Sequence, residues 1–378
     1  MDRPQSVSLI FCTERGNDMG LQKLILNFFL KIVDLCTFWV QQDPLRITFV
    51  SLTQDHLTSD FFYIDEALKK EGMYRLDYNL MVFKKNLWGD FQYFLNCLKQ
   101  VVLYKKSALV ILNDNNYVIS HCKPKNTKVL QVWHACGAVK KFGNEIKRQY
   151  PIHNYDAILA NSPYWKPIYA SSFDVHEDQV HVTGMARTDV LFDQKKLNQK
   201  KEAFYQKYPQ CIGKKIILYA PTFRGNIIDG LKSIPFHYEN IENELQEYIL
   251  LYKFHPLLSD IKIDSQKAID CHQEDLYTLF AVSDCLISDY SSIIFDYSLL
   301  NKPMIAFVPD EEEYGKTIGF NLDLKRDFPG SICHDEQEVL RAVYALDTSK
   351  LPRFKQKFMP LQDGKNIQRI IQCIHDLL

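Results

Sequence analysis

Short apolar runs alternate along the chain with longer stretches whose apolar residues recur at helical spacing. RITFVSL (Arg46 to Leu52) reads as a strand, and FFYIDEALKKEG, ending at Gly72, as a helix that a glycine closes. The alternation continues through SALVILND (Ser107 to Asp114), VLQVWHA (Val129 to Ala135), YDAILANS (Tyr155 to Ser162) and QVHVTGM (Gln179 to Met185). After the polar, lysine-rich stretch from Phe192 to Lys215 a second series begins. It comprises IILYAPT (Ile216 to Thr222), YILLYKFHP (Tyr248 to Pro256), an IDCH edge (Ile269 to His272), DCLISD (Asp284 to Asp289) and PMIAFVPD (Pro303 to Asp310). Near-continuous apolar strands separated by helices predict parallel sheets covered on both faces, here two of them.

Two further segments have a different pattern. Leu21 to Val40 is almost long enough to span a bilayer but contains Lys23, Lys31 and Asp34, whereas a spanning helix needs about 20 mostly uncharged residues. Lys84 to Lys106 places Leu87, Phe91, Phe94, Leu95, Leu98 and Val102 at helical spacing with lysines at both ends. Each is either a helix packed on its own domain or one lying in the plane of an anionic membrane surface.

At 378 residues the chain exceeds what one core serves, which is consistent with two domains. The net charge of −1 argues against a protein that coats nucleic acid, so any anionic ligand must be met by local positive charge. Ten scattered cysteines form no C-x-x-C pair and no zinc spacing, and read as reduced thiols. The first residues lack the features of a signal peptide. No G-x-x-x-x-G-K-[ST] loop and no G-x-G-x-x-G turn is present, which removes the markers of nucleoside triphosphate hydrolysis and of nicotinamide chemistry.

In doubly wound folds ligands sit beyond the carboxyl ends of strands. Those ends here carry Trp133-His134, Gly184 to Asp189 with Arg187, Thr222 with Arg224, Lys253 with His255, and Asp289 with Ser291 and Ser292. The two serines stand where the helix SSIIFDYSLL starts, so backbone N–H groups and hydroxyls there suit a phosphate. Arg187, Thr222, Arg224 and Lys253 then complete a donor-phosphate set, with bidentate clamping expected of the arginines. A diphosphate-bearing donor fits this chemistry. Asp289, Asp296 and Asp310 are the carboxylates open to Mg²⁺, although their spacing matches no recognised oxygen cage, and no metal site is assigned.

Together QVWHACGAVKKFG (Gln131 to Gly143), GMARTD, ILYAPTFR, KFHP, SDCLISDYSSIIFDY, NKPMIAFVPDEEEY and DGKNIQRI closely resemble the CDP-glycerol glycerophosphotransferase family, the primases and polymerases of teichoic acids and related capsular polymers. The resemblance implies an α/β GT-B-like fold, two doubly wound Rossmann-type domains facing across a cleft. Its expected parts are an N-terminal helical segment (1–45) that is membrane-associated or internally packed, an acceptor-side domain (46–205), a CDP-polyol donor domain (206–345), and C-terminal helices crossing back (346–378).

The implied reaction moves a polyol phosphate, glycerol phosphate foremost, from CDP-glycerol or CDP-ribitol to a polyprenyl-diphosphate-linked or polymer acceptor, releasing CMP. The implied location is peripheral, on the cytoplasmic face of the membrane. His134 is the candidate base, His255 a donor contact and Asp289 an orienting group. Two departures stand out: Ala135-Cys136 follow His134 where the family commonly has Gly-Thr, and Ala186 replaces the usual proline before Arg187. The competing readings are a nucleotide-sugar glycosyltransferase on the same fold and a catalytically silent binding module.

Overall fold

The computed structural model describes residues 16–84, 86–148, 150–226, 230–254, 258 and 261–378. His255 and Pro256, singled out above, lie outside the described residues. Two compact units divide the chain. Of the described residues, one comprises those within 16–134, 142–187 and 365–378, and the other those within 135–141 and 188–364.

In the first unit, here the N-unit, seven strands form one sheet: β1 (Asp43–Ser51), β2 (Thr53–Gln54), β3 (Arg75–Val82), β4 (Ser107–Leu112), β5 (Lys128–Gln131), β6 (Ala157–Ala160) and β7 (Val180–Val182). Their order is β2-β3-β1-β4-β5-β6-β7. All neighbours pair in parallel except the short edge strand β2, which runs antiparallel to β3. Every residue of β4 is buried, as expected of a central strand covered on both faces. The connecting helices are α1 (Gly16–Cys36), α2 (Ser59–Glu71), α3 (Leu87–Lys106), α4 (Tyr117–Cys122) and α5 (Trp165–Phe173). Asn86 and Asn116 cap α3 and α4 by accepting from the N–H groups of Gly89 and Ile119. α2 ends at Gly72, whose φ of 70° is the left-handed conformation that glycine adopts without penalty.

The second unit, the C-unit, opens with α6 (Gln194–Lys207), followed by β8 (Lys215–Tyr219), the antiparallel hairpin β9 (Arg224–Asn226) and β10 (Gly230–Lys232), β11 (Tyr248–Tyr252) and β12 (Ala268–Asp270). It continues with α7 (Leu276–Val282), β13 (Cys285–Ser288), α8 (Ile293–Ser298), β14 (Met304–Phe307), α9 (Glu311–Thr317), α10 (Leu324–Asp327), β15 (Ser331–Cys333), α11 (Glu336–Tyr344) and α12 (Leu351–Phe358). Its six-stranded sheet is parallel throughout in the order β12-β11-β8-β13-β14-β15. That is the doubly wound order, in which the direction of winding reverses between β8 and β13. A buried cluster including Ile217, Leu250, Ile287, Ile305 and Val339 fills one face of this sheet.

The observed division differs from the expected boundaries at both ends of the donor domain. It falls between Arg187 and Thr188 rather than at 205/206, and α6 packs on α7 of the C-unit through a Lys200–Asp275 pair and the buried Leu197 and Phe204. Of the C-terminal helices only α13 (Asn366–Leu377) belongs to the N-unit, where it packs on α2. α12 stays in the C-unit, stacking Phe354 on Phe295 of α8. Gly184 explains why Asn366 has room: φ there is 77°, and a Cβ would collide with the Asn366 amide. Residues 135–141 belong to the C-unit because their backbone bonds go there, Lys141 N–H to Gly319 O and Asn321 N–H to Val139 O.

Candidate functional site

The C-unit's strand ends converge where its winding reverses. Asp289 follows β13 directly and Thr222 lies just beyond β8. Asp289 accepts from the Thr222 N–H at 2.8 Å, the Thr222 hydroxyl at 2.9 Å and Arg224 Nη1 at 2.8 Å. Asp310, after β14, takes Arg224 Nε at 2.6 Å and Nη2 at 3.2 Å. The guanidinium also lies over the rings of Tyr290 and Tyr314, 5.0 and 4.4 Å from their centroids. Burial alone would lower the Arg224 pKa, but the Asp289 and Asp310 carboxylates outweigh it and raise it. Arg224 is therefore a charged hub held by two carboxylates.

The same geometry bears on Asp289 and on Mg²⁺. Both Asp289 oxygens receive hydrogen bonds from Thr222 or Arg224 and the group is 1% exposed, so it orients the β8 loop. Asp289 and Asp310 already hold a guanidinium where a cation would sit, and Asp296 instead accepts from the Tyr277 hydroxyl. These residues do not fit a magnesium site.

Ser291 and Ser292 follow Asp289 and are buried, as is Lys253 at the end of β11. Lys253 Nζ donates to His272 O at 2.6 Å, and burial pulls its pKa below the usual 10.5. α8 spans six residues and Ser292 makes no side-chain cap bond to it, so its dipole is weaker than the expected longer helix would supply.

In the N-unit, winding reverses between β1 and β4. Asp114, two residues beyond β4, uses Oδ2 to accept from Leu52 N–H at 2.9 Å and from the Ser51 and Thr53 hydroxyls at 3.3 Å each. The adjacent Asn113 carbonyl lies 3.1 Å from His134 Nδ1. A carbonyl oxygen only accepts, so Nδ1 bears the proton and Nε2 is the basic nitrogen. Trp133, which precedes His134, has φ 61°, a left-handed conformation that costs a residue other than glycine roughly 1–2 kcal/mol. Its indole packs on the imidazole at 4.0 Å between ring centroids and stacks on Phe142 at 5.0 Å.

Whereas Thr222, Arg224, Lys253, Ser291 and Ser292 belong to the C-unit, Arg187 belongs to the N-unit. Its Nη1 pairs with Asp60 at 2.5 Å, its backbone N–H bonds the same carboxylate at 2.9 Å, and both side chains are under 10% exposed. Sequence reasoning missed Asp60, Asp114 and Gln131. The recurrence of an aspartate just past a strand in LND and ISD was the available signal.

No described helix is long and apolar enough to cross a membrane. α1 and α3 nevertheless pack side by side with Phe29 edge-on to Phe94, and large apolar side chains on and just after them are exposed: Leu24 (67%), Phe28 (61%), Leu35, Phe38, Trp39, Leu87 (87%) and Trp88 (65%).

A family model described as CDP-Glycerol:Poly(glycerophosphate) glycerophosphotransferase matches residues 33–376. The teichoic acid ribitol-phosphate primase of Bacillus spizizenii (strain ATCC 23059 / NRRL B-14472 / W23) is 31% identical over 90% of this chain and 92% of its own length. The teichoic acid glycerol-phosphate primase of Bacillus subtilis (strain 168) is 31% identical over 75% of this chain and 77% of its own. Among solved structures, the wall teichoic acid polymerase TagF superposes with a TM-score of 0.74 at 24% identity, covering 96% of this chain and 95% of that one. That likeness fixes the architecture as GT-B-like, with two doubly wound Rossmann-type domains.

Proposed function

The chain belongs to the CDP-glycerol:poly(glycerophosphate) glycerophosphotransferase family, and on that premise we propose that it moves a polyol phosphate from a CDP-polyol to an acceptor hydroxyl with His134 as the base. The reading is of a transferase in the synthesis of teichoic-acid-type cell-wall polymers. The observation that carries the catalytic assignment is the 3.1 Å approach of His134 Nδ1 to the Asn113 carbonyl, which leaves Nε2 to take a proton.

In this scheme the acceptor O–H attacks the phosphorus that bears the polyol. A new P–O bond forms, the P–O bond to CMP breaks, the hydroxyl proton passes to His134 Nε2, and CMP departs with the bonding pair. The indole of Trp133 beneath the imidazole favours the cation that results. On the donor side Ser291, Ser292 and Lys253 are the groups proposed to meet the diphosphate. An anion beside Lys253 offsets the burial that now disfavours its charge. Thr222, Asp289 and Arg224 hold the shape of that strand-end pocket instead of touching phosphate through a free guanidinium. Arg187 fixes the start of α2.

The acceptor is proposed to be lipid-linked and presented at the cytoplasmic membrane surface, with the exposed apolar side chains of α1 and α3 lying in the bilayer interface. Side chains as large as Phe28, Trp39 and Trp88, left exposed on and just after two packed helices, are what an in-plane helix buries at the headgroup boundary.

Incubating the purified protein with CDP-glycerol, CDP-ribitol and a lipid-linked acceptor, then reading product masses, tests the reaction. A polyol-phosphate mass increment with CMP release is expected. Product from a nucleotide sugar alone would turn the assignment to a glycosyltransferase. For the surface, Leu24→Glu with Phe28→Glu is expected to release the protein from anionic vesicles in flotation. Retained flotation removes α1 from the docking face.

A further inference from the structure

Gln131 is the last residue of β5, fully buried, and its amide is divided between two neighbours of the proposed base. Oε1 accepts from the Trp133 backbone N–H at 2.9 Å, and Nε2 donates to the Asp114 carbonyl at 2.8 Å. The first contact holds the residue whose left-handed φ of 61° turns the chain immediately before His134. The second holds the peptide next to Asn113, whose carbonyl fixes His134 Nδ1. One planar amide thus ties together both determinants of the imidazole's placement: the backbone that carries it and the acceptor that orients it.

We infer that Gln131 is a positioning residue for the transfer reaction, acting through His134 by holding Trp133 in its left-handed conformation and the Asn113 carbonyl in register with Nδ1. The inference rests on the reading of His134 as base. Any buried amide needs partners; what singles this one out is which groups it holds, the strained Trp133 and the peptide beside the Asn113 carbonyl. Strain of this kind persists only where surrounding groups impose it. Methionine matches glutamine in length but supplies neither a strong acceptor nor a donor, so Gln131→Met removes both ties while the side chain still fills its space.

The test uses the full chain, CDP-glycerol or CDP-ribitol, whichever turns over, and a lipid-linked acceptor. Displacement of a catalytic group by a fraction of its reach lowers kcat by on the order of ten- to a hundredfold. Gln131→Met is expected to lose kcat in that range while KM and calorimetric affinity for the CDP-polyol stay within about twofold of wild type, a split that a merely structural defect does not produce. The acid limb of its kcat profile is expected to move to lower pH, because the carbonyl that stabilises the imidazolium is no longer held in place.

In a His134→Ala background the same substitution is expected to add no further loss. A full additional loss there overturns the inference, since Gln131 then acts by another route. Wild-type kcat in Gln131→Met beside an inactive His134→Ala also overturns it, but leaves the base assignment standing. Wild-type turnover in His134→Ala sinks the base assignment itself and the inference with it. If Gln131→Met does not fold, Gln131→Asn keeps a buried amide but shortens it by one methylene, so that it cannot reach both Trp133 N–H and Asp114 O. A partial kcat loss with unchanged KM in that variant supports the inference, and wild-type kcat overturns it.

Discussion

Both units lock the point where their winding reverses with a buried aspartate just past a strand, and the two aspartates hold different groups. Asp289 in the C-unit grips Thr222 and a guanidinium, and that guanidinium is gripped again by Asp310. In the N-unit Asp114 Oδ2 holds one backbone N–H and two hydroxyls. The difference teaches what each strand end is for. A ring of fixed charges makes the C-unit loop a rigid frame beside the proposed diphosphate. In the N-unit the aspartate steadies the loop whose Asn113 carbonyl lies 3.1 Å from the imidazole of the proposed base.

The comparison is sharpened most by His134→Ala. Loss of a general base is expected to lower turnover by about 10²–10⁴-fold, with CDP-polyol affinity by calorimetry unchanged because the proposed donor contacts all lie in the C-unit. A parallel fall in donor affinity would show that the division of labour between the two strand ends is wrong.

Next in size is the charged lock. Removing one partner of a buried charge pair costs about 3–5 kcal/mol, since the remaining charges stay buried without compensation. Arg224→Met, which leaves Asp289 and Asp310 facing each other, is expected to destabilise the C-unit in that range, read as a lowered urea midpoint. Arg224→Lys is expected to recover little, because an ammonium cannot reproduce the forked contacts to two carboxylates. A near-wild-type midpoint for either variant would reduce Arg224 to an ordinary surface group and reopen its assignment as a phosphate clamp.

Much of this frame was legible in the chain. Buried parallel strands announce themselves as apolar runs, and the residues that end them fall where a doubly wound fold gathers its chemistry. Sequence could not show which of those residues would already be engaged with one another. Arg187 and Arg224 read alike as phosphate ligands, yet one pairs with Asp60, 127 positions away, and the other with Asp310, 86 positions away. Contacts so distant in sequence carry no periodic signal. The path of the chain was hidden for the same reason: 135–141 reads as a continuation of the His134 strand end, but its hydrogen bonds are with 319–322. Gln131 lay within the quoted motif, and its role stayed invisible because it depends on a left-handed φ at Trp133 that composition does not reveal.

The smallest expected effect decides whether the two locks differ in kind. Asp114→Asn keeps an oxygen for the Leu52 N–H and the two hydroxyls and removes only the charge. The expected cost is about 1 kcal/mol, the usual worth of a hydrogen bond weakened but not left unmade. Turnover is expected to change little, because the Asn113 and Asp114 carbonyls keep their places through Gln131. Asp289→Asn, by contrast, strips Arg224 of one of its two counter-charges and sets an amide N–H or a weaker acceptor against it, so its cost belongs with that of Arg224→Met. Measured side by side in urea, the pair gives a direct reading. Unequal losses, large for Asp289 and small for Asp114, sustain a guanidinium-centred frame on the proposed donor side and a lock beside the proposed base that works through its hydrogen bonds. Equal losses would mean that charge at Asp114 matters as much as at Asp289, and the contrast between the two strand ends would fall.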